Sequence, residues 1–235
     1  MSSTFKPGIS VVVPSWRPGI YLTEALESII NQELNPEEII IVTDSADQET
    51  MDIARNYQPR ASIIFQEPKG CAAAKNEGAK HASCEYLAFL DADDYWSQSK
   101  LRIQKSWLEN HPEHEMVFGN VEQFISPELP EENRQHLRQE LSKMPGLSAG
   151  TLLIKRDHFL KVGHFNETFE LGDFIDWFSR AEHLGFKHYV FDDVMLYRRI
   201  HLNNLGLKRR DKRKDYTSIL REALIRKRMR GENQG

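Results

Sequence analysis

Three carboxylates fall in four consecutive positions at Asp91-Ala92-Asp93-Asp94, directly behind the apolar run Tyr86–Leu90. Carboxylates packed this closely repel one another, and a cation relieves the repulsion. Their hard oxygens suit Mg²⁺ or Mn²⁺, with a substrate diphosphate completing the octahedron. The plainer alternative is a strand-end turn in which Asp93 or Asp94 caps the next helix. Other polar and turn-forming residues follow other apolar runs. Pro14-Ser15-Trp16-Arg17-Pro18-Gly19 follows Ile9–Val13, Thr43-Asp44-Ser45 follows Ile39–Val42, and Glu67-Pro68-Lys69-Gly70 follows Ile63–Phe65.

What positions these residues is an alternation of two patterns over the first 120 residues. Short β-branched runs occur at Ile9–Val13, Ile39–Val42, Ile63–Phe65, Tyr86–Leu90 and Met116–Gly119. Between them lie stretches of helix-forming composition at Tyr21–Gln32, Gln48–Tyr57, Cys71–His81 and Gln98–Asn110. Strand then helix at this spacing predicts a mostly parallel α/β sheet covered on both faces. Ligands of such sheets bind beyond the carboxyl ends of the strands, where the polar residues gather. No G-x-G-x-x-G follows a strand and no G-x-x-x-x-G-K-[ST] occurs, which demotes dinucleotide and P-loop sites. Ser126–Pro145 breaks the rhythm with three prolines and a short helix at Glu132–Lys143, and reads as an insertion or lid. Beyond it the expectation is a strand at Gly150–Ile154, a short helix after Lys155, a helix at Phe174–His183, and two strands near His188–Phe191 and Met195–Arg199.

The chain of 235 residues is long enough to bury its own core, and its 40% hydrophobic and 28% charged composition argues against disorder. Two cysteines, Cys71 and Cys84, make neither a disulfide framework nor a thiolate metal site, so a cytoplasmic setting is expected. No apolar run reaches the roughly 18 residues of a membrane span, and Met1–Gly8 holds no secretory apolar core. The net charge of -4 is unevenly spread: Lys208–Arg230 carries +8, which leaves -12 on the remainder. An acidic body predicts no nucleic-acid partner. The basic tail reads as a helix. Its apolar residues Ile219, Leu220, Leu224, Ile225 and Met229 either pack on the body or let it dock on the inner face of an anionic membrane.

Taken in order, the segments resemble the family 2 glycosyltransferases of the GT-A fold. The resemblance runs over about residues 9–206: Ile9-Ser10-Val11-Val12-Val13-Pro14-Ser15, Glu38–Ser45, Lys75-Asn76-Glu77-Gly78-Ala79, Ala88–Trp96 with Lys100-Leu101, Gly150–Arg156, Val162–Glu167, Asp176–Arg180, and Arg199-Ile200-His201 with Asn204. It implies a GT-A type, mostly parallel Rossmann-like sheet flanked by helices, with an acceptor-side C-terminal portion. The implied layout is one domain over 1–207, with a donor half at about 9–120 and an acceptor half at about 121–207, followed by the tail at 208–235.

The implied activity is metal-dependent, inverting sugar transfer from a nucleotide sugar, commonly a UDP-sugar, to an acceptor hydroxyl. The implied cofactor is Mn²⁺ or Mg²⁺, held at the D-x-D match Asp91-Ala92-Asp93. Asp93 is its direct ligand, Asp91 a ribose or metal contact, and His201 reaches the metal or the diphosphate. Pro14, Ser15 and Asp44 match the nucleoside loops, though Thr43 replaces the first of the usual two acids. Lys75 either faces the nucleotide or lies on a solvated helix. The proton of the acceptor goes to a carboxylate. The usual acidic pair before the D-W helix is altered to Gly172-Asp173, so Asp173 is the expected base, with Asp176 as the alternative. Arg180, at i,i+4 from Asp176, reads as a structural ion pair. The acceptor stays open among a saccharide, a lipid-linked sugar and a peptide. Two further readings remain: a nucleotidyltransferase on a similar sheet, and a non-catalytic module that kept a nucleotide-sugar site.

Overall fold

The computed structural model describes residues 5–16, 21–44, 48–138, 146–204 and 214–232. One eight-stranded mixed sheet runs in the order β3-β2-β1-β4-β7-β6-β8-β5. Its strands are β1 (Lys6–Ser15), β2 (Glu38–Thr43), β3 (Ala61–Phe65), β4 (Cys84–Phe89), β5 (Tyr95–Trp96), β6 (Met116–Ile125), β7 (Leu153–Lys155) and β8 (His188–Ile200). β1, β2, β3 and β4 pair in parallel, as do β6 and β8, while β7 and β5 run antiparallel to their neighbours.

Side chains alternate across a strand, so β1 feeds two cores. Ile9, Val11 and Val13 face one layer with Leu22, Leu26 and Ile29 of α1 (Tyr21–Ile30) and Leu101 and Leu108 of α4 (Lys100–Asn110). Val12 faces the other with Ala72, Ala74 and Ala79 of α3 (Cys71–His81), Phe159 of α6 (Arg156–Val162) and Trp177 of α7 (Asp173–His183). The remaining helices are α2 (Gln48–Asn56), α5 (Glu131–Leu137) and α8 (Lys214–Glu232). The five strand and four helix expectations of the first 120 residues all appear, with shifted ends. Among the described residues no helix is long and apolar enough to cross a membrane.

Two expectations are corrected. Gly150–Ile154 is not one strand: Ala149–Thr151 forms a 3-10 turn and pairing starts at Leu153. Thr151 Oγ1 donates to the Gly146 carbonyl, giving the backbone a local alternative to the ladder. The two C-terminal strands are one, His188–Ile200, because the acidic pair Asp192-Asp193 lies in a register shift against β6 and not in a turn. The Asn120 side-chain amide donates to the Asp192 carbonyl there at 2.7 Å. Of the Ser126–Pro145 insertion, α5 realises part of the expected helix. Residues 139–145 lie outside the described set, as do Ser45, residues 205–207, and 208–213 and 233–235 of the tail.

Candidate active site

The ladder between β1 and β2 sets Pro14 opposite Val42 and Ser15 opposite Thr43, so both strands end side by side. Beyond those ends lies a cavity of about 410 Å³ lined by Pro14, Ser15, Trp16, Asp44, Gln66, Cys71 and Glu170, with Val42, Ala72 and Ala74 on its apolar wall. Its size and its apolar wall with few polar groups suit a small organic ligand. The Ser15 hydroxyl is buried and has no hydrogen-bond partner among the described residues. Trp16 stands 57% exposed on the lining.

At one side of this cavity a lysine sits between two carboxylates. Lys75 is carried by α3, which approaches β1 closely because Gly78 lacks a side chain: a Cβ there would meet Val12 Cγ1 at 2.3 Å. Lys75 is buried, so the solvated-helix alternative does not hold. Its Nζ lies 3.2 Å from Asp173 Oδ2 and 4.0 Å from Asp91 Oδ1. Burial works against its ammonium, but the Asp173 and Asp91 carboxylates outweigh it and hold its pKa well above the usual lysine value. Cys71, which lines the cavity, places Sγ 3.8 Å from Asp91 Oδ1 and so joins the two sites. Desolvation of the thiol against the cavity wall pushes its pKa up and leaves it protonated, although the residue as a whole is exposed. Partial desolvation also raises the Asp91 carboxyl, whose side chain stays 47% exposed, with Asp93 and Asp173 adding to the effect and Lys75 opposing it. Asp173 is the first residue of α7. The preceding Gly172 takes the cap position without any side-chain cap, so Asp173 is not an N-cap.

The far end of the aspartate cluster is tied to β8. Asp93 Oδ2 lies 3.0 Å from His201 Nε2, and its carbonyl accepts from Arg199 Nε at 3.0 Å. Asp94 caps no helix. It accepts the Arg199 backbone N–H at 2.8 Å, and burial beside Asp93 and Asp91 drives its carboxyl well above the ordinary range. Arg199 also pairs with Glu24 and lies over the Tyr21 ring. Asn203 donates its N–H to His201 Nδ1 at 3.2 Å, so the neutral ring carries its hydrogen on Nε2 and donates towards Asp93. Taking a cation at Nε2 would cost the Asn203 bond. Among the described residues no group of three His, Cys, Asp or Glu side chains is arranged as a metal cage. The donor set fits a cation that arrives with a diphosphate and keeps most of its ligands outside the protein. Ala92, between the two aspartates, is buried.

Asp176 stands apart from this centre. It is 2% exposed and clamped by Arg180 at 3.0 Å, the expected i,i+4 pair, and by Arg226 of α8 at 3.0 Å. Trp177 is core, stacked on Phe159. Trp96 is buried too, donating to the Gly150 carbonyl, so neither tryptophan is open for sugar stacking. Among the tail's described apolar side chains of the expected stripe only Ile219 is buried, and Met229 lies outside the described side chains. Leu220, Leu224 and Ile225 are exposed, which corrects the expectation that the stripe packs as a whole. Sequence reasoning passed over Arg226, Asp215 and the cavity-lining Gln66 and Glu170, none of which sits in a local motif.

The profile of Glycosyl transferase family 2 matches residues 10–179. An uncharacterised glycosyltransferase of Rickettsia typhi is 26% identical over 213 residues, covering 85% of this chain and 66% of that protein. One of Methanocaldococcus jannaschii is 27% identical over 230 residues, covering 90% and 77%. The chain spans just under two thirds of the Rickettsia typhi and Rickettsia prowazekii relatives, 66% and 65% of their lengths. Among solved structures, S. aureus TarS 1–349 in complex with UDP-GlcNAc superposes with a TM-score of 0.74 at 18% identity, over 93% of this chain and 66% of that one. This likeness concerns the fold, a GT-A architecture. With the family profile matched over most of its length, this chain belongs to glycosyl transferase family 2.

Proposed function

We propose that this chain transfers a sugar from a UDP-sugar to an acceptor hydroxyl, with inversion at the anomeric carbon. One observation carries the reading: the Lys75 ammonium joins Asp91 of the D-x-D match to Asp173, beside a cavity of nucleoside size. TarS, of the same fold, binds UDP-GlcNAc. In this reading the nucleoside occupies the cavity, with Pro14 and Ser15 along it and the Asp44 carboxylate accepting from the base. The sugar and diphosphate lie towards Asp91-Ala92-Asp93. Asp93 holds Mn²⁺ or Mg²⁺ together with Asp91, with His201 alongside. The cation supplies neutralisation of the charge that develops on the diphosphate leaving group. Asp173 accepts the proton of the attacking hydroxyl while Lys75 orients its carboxylate. Asp176, held by two arginines, steadies α7. The layout proposed is a donor half, an acceptor half and the basic tail, whose exposed Leu220, Leu224 and Ile225 are available for contact with an anionic membrane. The acceptor is a saccharide, a lipid-linked sugar or a peptide.

The test is release of UDP from a panel of UDP-sugars with Mn²⁺ or Mg²⁺. Activity is expected to vanish in EDTA, to return with either cation, and to be lost in Asp93→Ala. Full turnover in EDTA overturns the cation assignment. A protein that binds UDP-sugars yet never turns them over is the non-catalytic module instead.

A further inference from the structure

The C-terminal helix grips the chain on both sides of Asp173. Asp215, in the first turn of α8, accepts the backbone N–H groups of Glu170 at 3.2 Å and Leu171 at 3.4 Å. One turn on, Ile219 is buried against Gly172, where a Cβ would meet its Cδ1 at 2.7 Å and Tyr216 Cε1 at 3.1 Å. Gly172 has a φ of +84°, a left-handed conformation that other residues adopt at a cost. Two turns further, Arg226 reaches the Asp176 carboxylate at 3.0 Å. Residues 170, 171, 172 and 176 are thus all held from α8, and Asp173 lies between them with Lys75 on its free side. Glu170 also lines the cavity.

These contacts are more specific than the packing of a basic tail on an acidic body requires. A carboxylate that accepts two successive N–H groups fixes the path of a loop. A second anchor one helical turn past Asp173 fixes the start of α7. Position matters here because a carboxylate displaced by about 1 Å from a reacting hydroxyl can cost on the order of 10²-fold in rate.

We propose that α8 is a positioning element of the active site: Asp215, Ile219 and Arg226 lock the 170–176 segment so that Asp173 faces Lys75 and the acceptor. This rests on the reading of Asp173 as the base. None of the three is a catalytic residue, since each acts through the segment it holds.

The test uses the full chain and the UDP-sugar it turns over fastest, alongside UDP affinity by calorimetry and amide hydrogen exchange. Asp215→Ala and Arg226→Met are expected to lower kcat about ten- to a hundred-fold, with UDP affinity within about threefold of wild type. Asp215→Asn, which retains an acceptor oxygen, is expected to restore most of the loss. Exchange at Glu170 and Leu171 should quicken in Asp215→Ala and not elsewhere. In an Asp173→Asn background the same substitutions should cost little more, because residues that act as a unit are not additive.

Unchanged kcat in folded Asp215→Ala and Arg226→Met, or full additivity with Asp173→Asn, overturns the proposal and leaves the base assignment standing. Full activity of Asp173→Asn overturns the base assignment itself, and the proposal with it. Should the wild type turn over no UDP-sugar, the exchange pattern alone decides whether α8 holds the segment. Unchanged exchange at Glu170 and Leu171 in Asp215→Ala then rejects it.

Discussion

The two edges of this cleft, the one proposed for the donor and the one proposed for the acceptor, are built on different principles. On the donor edge, backbone ladders deliver the side chains: Pro14, Ser15 and Asp44 lie at or just past the ends of two strands whose register is fixed residue by residue. On the acceptor edge, side chains hold side chains across long stretches of sequence. Lys75 meets Asp173 from 98 positions away and Arg226 meets Asp176 from 50. Ladders share the work over many hydrogen bonds, so one altered side chain leaves the frame intact. A partly dry ion pair has no such reserve, because removing one partner strands the other's charge.

The contrast can be broken most sharply at Lys75. Lys75→Met removes the counterion of Asp173 and Asp91 together, and should cost about 1–3 kcal/mol of stability by denaturant unfolding, less than a fully buried pair because water reaches Asp91, along with turnover. Ser15→Ala on the donor edge removes a hydroxyl that has no partner among the described residues. It should change stability by no more than about 0.5 kcal/mol. Equal effects at the two positions would erase the distinction.

A smaller effect sharpens it at the seam between the halves. Lys100 of α4 is fully buried, donates to Gln104 Oε1 at 2.8 Å and to the Leu152 carbonyl at 3.4 Å, and lies over the Trp96 ring. No acid balances it in these contacts, and burial holds its pKa well below the usual 10.5. The unfolded chain therefore binds the extra proton between that lowered value and 10.5. Stability should rise with pH through this window, by up to about 1.4 kcal/mol per pH unit, and fall as pH drops through it. The slope should be smaller by that amount in Lys100→Met. An identical slope in the variant would place the proton on the folded lysine.

The donor edge was also the more legible in sequence. β-branched runs and the turn residues behind them are local signals, so the four β1–β4 runs, their helices and the polar strand ends could all be read directly. The acceptor edge needs contacts that no spacing rule encodes. Arg180 was visible because its partner is one turn away. Arg226 and Asp215 were not, because their partners lie across a segment of unrelated composition. The same limit hid the work of Asp94, whose carboxylate braces β8 through the Arg199 N–H. Asp192-Asp193 misled in the other direction, since an acidic pair looks like a turn until the bulge against β6 is seen.

The division of labour between the two edges is tested most directly by one crossed measurement: UDP affinity in the presence of Mn²⁺ and turnover, each in Asp44→Ala and Asp173→Asn. The account predicts that Asp173→Asn lowers turnover about 10²–10⁴-fold and leaves UDP affinity nearly unchanged. Asp44→Ala is predicted to weaken UDP binding first. If Asp173→Asn retains full turnover while Asp176→Asn loses it, the proton goes to the other carboxylate and the account of the acceptor edge is wrong.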